Sequence, residues 1–310
     1  MGFGAKLIGG WMAACLGVMP AVAANDLPHL VAQNGRHALI VDGKPFLMLG
    51  AQVNNAANYA SALPKVWPTI DALGANTVEV PVAWEQIEPV EGKFDFSFLD
   101  TLLDQARAHG KRLVILWFGT WKNTNANYTP AWVKLDPKRF PRMTNTKGQL
   151  HYVLSPHGAN TLAADRNAFV HLMQHLKEAD PQNSVIMVQV ENETGSYGLA
   201  RDHSPQADKL FAGPVPAPLA AKVGKKGNWT QVFGRDAEAA FNSWYLVCGK
   251  LCRPGGRGGQ GGEAPAHVCE RLAARSASVA GSEHLFLRRS AAAGARRVEG
   301  GGAAYRCAGA

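Results

Sequence analysis

The chain has 310 residues and a formal net charge of +8, with 46% hydrophobic, 8% aromatic and 18% charged residues. This length accommodates one large domain or two small ones, and the composition excludes a fully disordered, a collagen-like or a multi-span membrane protein. The last 62 residues contain ten basic and four acidic side chains and so carry +6 of the net charge. The rest of the chain is nearly neutral, so the basic balance does not indicate a nucleic-acid or membrane partner.

The first 24 residues are typical of an export signal. Lys6 precedes an apolar stretch over Leu7–Val18, and small residues follow at positions 21–24. We expect a signal peptide over residues 1–24, cleaved next to Ala24, and a periplasmic or secreted protein. An uncleaved N-terminal anchor is the alternative. Residues 24–247 contain no cysteine, so no disulfide and no thiolate metal site is expected there.

Short apolar runs alternate with amphipathic stretches between residues 37 and 247, which predicts parallel strands covered by helices. The predicted elements, in chain order, are a strand pair at His37–Val41 and Lys44–Phe46, a strand at Phe46–Gln52, a helix near Lys65–Leu73, a strand at Asn76–Val82, a helix at Phe98–His109, a strand at Arg112–Phe118, a long polar loop, a helix at Leu162–Glu178, a strand at Ser184–Glu191, a Pro-rich loop through Pro214–Pro218 and a helix at Ala237–Val247. The pattern stops there, so residues 25–247 form the predicted body and residues 248–310 a separate tail.

The end of the fourth predicted barrel-type strand holds the densest set of polar groups, in the string Gln189-Val190-Glu191-Asn192-Glu193-Thr194-Gly195. Because buried, unpaired carboxylates are costly, a strand that ends in this way is expected to face a cleft. Glu193 is the candidate proton donor, and Asn192 is placed to hydrogen-bond a sugar hydroxyl. An ordinary acidic loop and an N-glycosylation sequon at residues 192–194 are the alternatives.

An aromatic and acidic cluster follows the second predicted barrel-type strand and begins Trp84-Glu85-Gln86-Ile87-Glu88-Pro89. The apolar face of a sugar stacks on tryptophan, and carboxylates accept hydrogen bonds from its hydroxyl groups, so Trp84 and Glu85 are candidate substrate-binding residues. Trp121, in the loop after the third strand, is a further candidate. The alternative is that Trp84 and Trp117, which lies in the third predicted strand, belong to the hydrophobic core.

These strings resemble those of clan A glycoside hydrolases of the family 35 and family 42 β-galactosidase type. The resemblance is carried by Phe46–Gly50, Trp84–Phe96 and Val188–Gly198, and it extends from about residue 30 to residue 246. It implies an α/β fold, an incomplete (β/α)8 TIM-type barrel of about four to five βα units. It also implies hydrolysis of terminal β-galactosides, with no metal and no cofactor. Thr194 departs from the family, in which a tyrosine is more usual.

The resemblance assigns roles to particular residues. In the family, a glutamate that directly follows an asparagine at the end of strand four is the acid/base, which implies this role for Glu193 after Asn192. The retaining mechanism also needs a nucleophilic glutamate from strand seven, about 5–5.5 Å from the first carboxyl group. No acidic residue after Leu246 follows an apolar strand. We therefore expect the nucleophile to be absent and the chain to be inactive as written; a non-catalytic remnant that binds carbohydrate through the candidate residues is the alternative.

The tail over residues 248–310 differs in composition from the body. It holds 13 Gly, 14 Ala and four of the five Cys, and nine of its ten basic residues are Arg. An out-of-frame reading of GC-rich DNA produces such a composition, so we expect a disordered, out-of-frame tail. A genuine low-complexity segment and an Arg/Gly-rich RNA-binding segment are the alternatives. The expected partner is a carbohydrate, with no nucleic acid and no membrane beyond export.

Overall fold

A computed structural model of the protein describes residues 27–122 and 127–247. The predicted signal peptide and the predicted tail lie outside these residues. Within them the chain forms an α/β structure in which a parallel sheet is covered by helices, so the predicted fold class is confirmed at this level. None of the helices in the described ranges is both long and apolar enough to cross a bilayer.

The described residues form nine strands: β1 (His29–Gln33), β2 (Arg36–Val41), β3 (Lys44–Pro45), β4 (Gly50–Gln52), β5 (Thr77–Ala83), β6 (Arg112–Phe118), β7 (Arg142–Thr144), β8 (Leu150–Leu154) and β9 (Val185–Val190). They also form nine α-helices: α1 (Leu63–Ala72), α2 (Trp84–Ile87), α3 (Ser97–Ala108), α4 (Ala131–Lys134), α5 (Ala159–Ala179), α6 (Pro205–Ala212), α7 (Ala217–Val223), α8 (Trp229–Phe233) and α9 (Ala237–Val247). Single turns of 3-10 helix lie at Asn55–Ala57 and Gly234–Asp236.

The central sheet has the strand order β4-β5-β6-β9 and is parallel throughout. Thr77 of β5 pairs with Gly50 of β4 on one side and with Arg112 of β6 on the other, and Trp117 of β6 pairs with Val190 of β9. Because all four strands run in one direction, their carboxyl ends lie along one edge of the sheet. The loops that follow β5, β6 and β9 therefore meet at that edge.

Both faces of the central sheet are buried at its two inner strands, β5 and β6. On one face, Val80 and Ile115 pack against α1, α3 and α5, whose buried residues include Leu63, Trp67, Ile70, Leu99, Leu102, Leu103, Phe169 and Leu172. On the other face, Leu116 and Phe118 belong to a cluster with Leu39 of β2. Burial on both sides explains why β6 is a continuous apolar run from Leu113 to Phe118 rather than an alternating one.

The first predicted strand of the sheet, Phe46–Gln52, was too long. Only Gly50–Gln52 is a strand, and the side chains of Leu47 and Leu49 are 76% and 54% exposed. The side chain of Asn76 replaces part of the backbone ladder here, because its amide group donates to the Leu47 carbonyl and its oxygen accepts from the Leu49 N–H. An apolar run therefore lies next to the sheet without joining it as a strand.

Periodicity also missed several short elements. The predicted long polar loop after β6 contains α4 and the antiparallel hairpin β7–β8, which are too short to show a hydrophobic period. The predicted Pro-rich loop contains the start of α7, because Pro216 is its N-cap and Pro218 lies in its first turn, where the missing N–H costs no hydrogen bond. Helices α6 to α9 share a cluster around Trp229 and Phe241. The predictions Arg112–Phe118 and Ala237–Val247 agree with β6 and α9 in both bounds.

Candidate active site

The loops that follow β6 and β9 lie side by side, because these strands are paired up to their carboxyl ends. The Asn192 N–H donates to the carbonyl oxygen of Trp121 at 3.3 Å. The Trp121 N–H in turn donates to the Glu191 carboxyl group at 2.8 Å. The structure thus brings together three residues selected from the sequence: Trp121, Asn192 and Glu193.

Lys122 links the two loops. Its ammonium group donates to Asn192 Oδ1 at 2.8 Å, lies 3.6 Å from Glu193 Oε2, and stands 5.0 Å from the ring centre of Phe118. The Lys122 side chain is only 8% exposed, and this burial lowers the pKa of Lys122, while the Glu193 carboxylate acts in the opposite direction. Lys122 was not among the residues predicted from the sequence; its position directly after Trp121, in the loop that follows a buried strand, was the available signal.

Glu193 is the carboxyl group of this cluster that faces outward. Its side chain is 47% exposed. The backbone at both Glu191 and Glu193 is left-handed, with φ of 64° and 49°. Side chains other than glycine rarely adopt this conformation, and such residues concentrate at functional sites. The two left-handed residues turn the chain sharply at the carboxyl end of β9.

Glu191 points inward, which differs from the expectation that every acid in this string faces a cleft. Its carboxyl group accepts hydrogen bonds from the backbone N–H groups of Thr120 at 3.2 Å and Trp121 at 2.8 Å. Burial raises the pKa of Glu191 well above its ordinary value, and the adjacent Asp165 raises it further. Although the residue as a whole is partly accessible, its carboxyl group is enclosed. Its hydrogen bonds offset the free-energy cost of burying a polar group, so the carboxyl group does not need to face a cleft.

The turn after β6 is built around Gly119. Asp165 of α5 accepts hydrogen bonds from the Trp117 indole N–H at 2.9 Å and from the Thr120 N–H at 2.8 Å, so this carboxylate lies against the backbone of the turn. A Cβ atom at position 119 would stand 2.5 Å from Trp117 Nε1 and 2.6 Å from Asp165 Oδ1. Only glycine fits there. Gly119, Thr120 and Asp165 were not among the site residues predicted from the sequence.

The predicted tryptophan platform is not formed by Trp84. Its side chain is 0% exposed, and its indole N–H donates to Glu88 Oε2 at 2.9 Å. The ring also packs edge to face against Trp132 at 5.7 Å. The assignment of Trp84 to substrate binding is therefore wrong for this structure, because no face of the ring is open to a sugar; the alternative of a core tryptophan describes its position. Trp121 is 6% exposed and packs with Met143, so little of its ring is open either.

Glu85 lies directly after β5 and is connected to the site indirectly. Its carboxylate accepts a hydrogen bond from Lys134 Nζ at 3.2 Å, and its backbone N–H donates to the Tyr128 carbonyl oxygen at 3.0 Å. The Tyr128 ring lies 5.0 Å from the ring of Phe118, which in turn adjoins the Lys122 ammonium. The rings of Tyr128 and Phe118 therefore connect Glu85 to the cluster at the ends of β6 and β9.

Within the described ranges, no group of three or more His, Cys, Asp or Glu side chains is arranged to hold a metal ion. The chemistry that the described site offers is that of an exposed carboxyl group beside a buried ammonium and a side-chain amide. This combination can transfer a proton at Glu193 and form hydrogen bonds to hydroxyl groups of a ligand.

Known proteins match the part of the chain that contains this site. The family model described as Beta-galactosidase, glycoside hydrolase family 42, matches residues 62–231, which include the carboxyl ends of β5, β6 and β9. A "Beta-galactosidase" of Xanthomonas manihotis is 31% identical over 199 residues, which are 61% of this chain and 30% of that protein. The human "Beta-galactosidase-1-like protein 3" is 29% identical over 191 residues, which are 57% of this chain and 26% of that protein.

The chain thus spans less than a third of the length of these curated relatives. The family model nevertheless covers more than half of the chain, and its range begins with α1 and ends in α8. The resemblance inferred from the strings after β5 and β9 is therefore confirmed. The protein belongs to the β-galactosidase family of clan A glycoside hydrolases.

Proposed function

We propose that this chain provides the acid/base half of a retaining β-galactosidase site. The observation that supports this function is the cluster of Lys122, Asn192 and Glu193 at the carboxyl ends of two adjacent parallel strands. Enzymes built as (β/α)8 barrels carry their active sites at this edge of the sheet. Glu193 is exposed enough to reach a ligand, whereas Glu191 is turned inward.

Glu193 acts twice in the proposed reaction. In the first step its carboxyl proton moves to the glycosidic oxygen while a nucleophilic carboxylate attacks the anomeric carbon and the bond to the leaving group breaks. In the second step the Glu193 carboxylate removes a proton from a water molecule that attacks the same carbon, which releases the sugar and frees the nucleophile. The proposed substrate is a terminal β-galactoside.

Lys122 and Asn192 bind the sugar next to Glu193. A lysine ammonium has only donors, so Lys122 occupies the amide oxygen of Asn192 and directs the amide NH2 group toward a sugar hydroxyl. Glu85 remains a candidate acceptor for sugar hydroxyls, since its side chain is one-third exposed. Trp121 contributes through its backbone, which holds Asn192 and Glu191 in place.

The nucleophile is the component that we propose this sequence does not provide. Glu191 is enclosed, and in the sequence the acids at positions 263, 270, 283 and 299 do not follow apolar runs of strand length. We expect no hydrolysis of an aryl β-galactoside by the 310-residue chain, and hydrolysis once the reading frame after codon 247 is restored. Resequencing the gene across codons 244–252 tests the frame directly. Turnover by the 310-residue chain would contradict this proposal and direct the search for a second carboxylate to Glu79, Glu85 and Glu88.

Replacing Glu193 tests the acid/base assignment in the frame-restored enzyme. We expect Glu193→Gln to lower the hydrolysis rate of unactivated galactosides by about 100- to 10,000-fold, because proton donation is lost. Aryl galactosides with good leaving groups should lose less, since their departure needs little protonation. Glu178→Gln, an exposed glutamate on α5, is the control and should retain activity. Equal losses on both substrate types would argue against the acid role.

Export is proposed from residues 1–24 alone. We expect expression of the full gene to place the protein in the periplasm or the medium, with a mature N-terminus at Ala24 or Asn25. N-terminal sequencing of the recovered protein measures this directly. A deletion of residues 2–23 is the control and should leave the protein inside the cell. Recovery of the intact N-terminus with the membrane fraction would favour the uncleaved anchor.

A further inference from the structure

A pair of carboxyl groups adjoins the candidate site on its inner side. Asp165 accepts hydrogen bonds from the Trp117 indole at 2.9 Å, from the Thr120 N–H at 2.8 Å and from the Thr120 hydroxyl at 2.5 Å. Glu191 accepts from the same Thr120 N–H at 3.2 Å and from the Trp121 N–H at 2.8 Å. Because one N–H group reaches both side chains, the two carboxyl groups are immediate neighbours.

In the part of the chain that the structure describes, no cation balances this pair. Across residues 27–122 and 127–247, no Lys, Arg or His forms an ion pair with Asp165 or Glu191. Lys122, the ammonium group at the same strand ends, is bonded to Asn192 and lies beside Glu193 instead. Two ionised carboxylates in contact away from water repel each other strongly, so pairs of this kind retain a proton.

We propose that Asp165 and Glu191 share one proton and act as a positioning pair for Asn192 and Glu193. The shared proton lets one carboxyl group donate to the other, which fastens the turn after β6, helix α5 and the end of β9 together. The left-handed backbone of Glu191 is thereby held in place, and with it the two residues that follow. The positioning role rests on the proposed function of Glu193, whereas the shared proton can be tested without any activity.

The pair makes stability depend on pH in a defined direction. The pKa of Glu191 is raised, first by burial and then by Asp165, while the N–H groups of Thr120 and Trp121 oppose the change. The other titratable side chains at this place are Lys122 after β6 and Glu193 after β9. Since the folded pKa of Glu191 exceeds the unfolded one, its stabilising contribution is complete below the unfolded pKa. That contribution is lost as the pH rises to the folded pKa.

Glu191→Gln removes the titratable proton of residue 191 but keeps its capacity to form hydrogen bonds. A glutamine amide imitates a protonated glutamic acid, because it can donate to Asp165 and still accept from Trp121. We expect urea unfolding of the full chain between pH 5 and pH 9 to show similar stability of variant and wild type at pH 5. As the pH rises from the unfolded pKa of Glu191 toward its folded pKa, the folded-to-unfolded ratio of the wild type should fall about tenfold per pH unit relative to that of the variant. Above the folded pKa the difference should stay constant. A stability difference that is the same at every pH overturns the proposal.

Infrared spectroscopy provides a measurement that does not require reversible unfolding. At pH 7 the difference spectrum between wild type and Glu191→Gln should contain the carbonyl band of one un-ionised carboxyl group. The control difference spectrum between wild type and Glu178→Gln should lack this band, because that glutamate is exposed to solvent. Absence of the band from the Glu191→Gln difference spectrum overturns the shared proton.

Kinetics of the frame-restored enzyme test the positioning role. We expect Glu191→Ala to lower kcat with little change in KM, because Glu193 is displaced, and Glu191→Gln to restore most of kcat. If Glu191→Gln is as inactive as Glu191→Ala, the positioning role is wrong even where the shared proton is confirmed. Failure of the proposed function would be recognised differently, by full activity of Glu193→Gln.

Discussion

Lys122 is the residue on which the candidate site depends and which the sequence did not reveal. A lysine after an apolar strand is usually solvated, yet this side chain is 8% exposed because Asn192 and Glu193 hold its ammonium group between the two loops. Trp84 was likewise predicted to be exposed, as a platform for a sugar, but its side chain lies in the hydrophobic core. At the scale of single residues, the partners of a polar atom decide burial more than the residue type does.

Lys122→Met tests this contact in the frame-restored enzyme. Hydrogen bonds to charged groups contribute about 1.5–3 kcal/mol, so loss of the bond to Asn192 should raise KM by about 10- to 100-fold. Steady-state kinetics measure this effect. Lys65→Met, on the exposed side of α1, is the control, and an equal effect there would exclude a specific role for Lys122.

The turns after β6 and β9, rather than the strands, determine the geometry of the site. Alternation along an extended chain would place Glu191 and Glu193 on the same side. Left-handed backbone at both positions breaks this alternation, so that one carboxyl group points inward and the other is exposed. The turn after β6 complements this arrangement, because Gly119 lets the backbone approach Asp165 closely.

Gly119→Ala tests how tightly the turn after β6 is packed. The new Cβ would clash with Trp117 and Asp165, both of which are buried, so we expect a loss of stability of about 1–3 kcal/mol. Urea or thermal unfolding measures this loss. Gly50→Ala is the matched control, because its nearest neighbour would be 4.0 Å away and its backbone is not left-handed. A loss no greater than that of the control would show that the turn can relax around a methyl group.

In the part of the chain that the structure describes, β4 and β9 are the edge strands of the central sheet, and each has one side without a partner strand. The exposed side chains of Leu47, Met48 and Leu49 precede β4. Unpaired edge strands with exposed apolar side chains promote association between chains. The described part of the chain therefore combines a well-packed set of βα units with exposed strand edges that favour self-association.

We expect the expressed 310-residue chain to self-associate rather than behave as a monomer, and Leu49→Lys to reduce this association. The substitution adds charge at the β4 edge while the backbone bonds of residue 49 to Asn76 and Thr77 are kept. Sedimentation velocity measures the size distribution. Leu135→Lys is the control, because this leucine is 80% exposed but lies after α4, away from the sheet. A monomeric wild type, or an equal effect of both substitutions, would contradict the prediction.

The sequence by itself determined the α/β class and the approximate positions of β5, β6, β9 and α3, because long apolar runs and amphipathic periods are local signals. It also indicated the family, through the strings that follow β5 and β9. It also predicted that chemistry concentrates after β9, since Glu191, Asn192 and Glu193 follow an apolar strand. Only the tertiary structure decided which glutamate faces outward, since that depends on left-handed turns and on Asp165, which is 26 positions away in the chain. The burial of Trp84 and the role of Lys122 were likewise decided by partners that are distant in sequence, and no local pattern encodes such contacts.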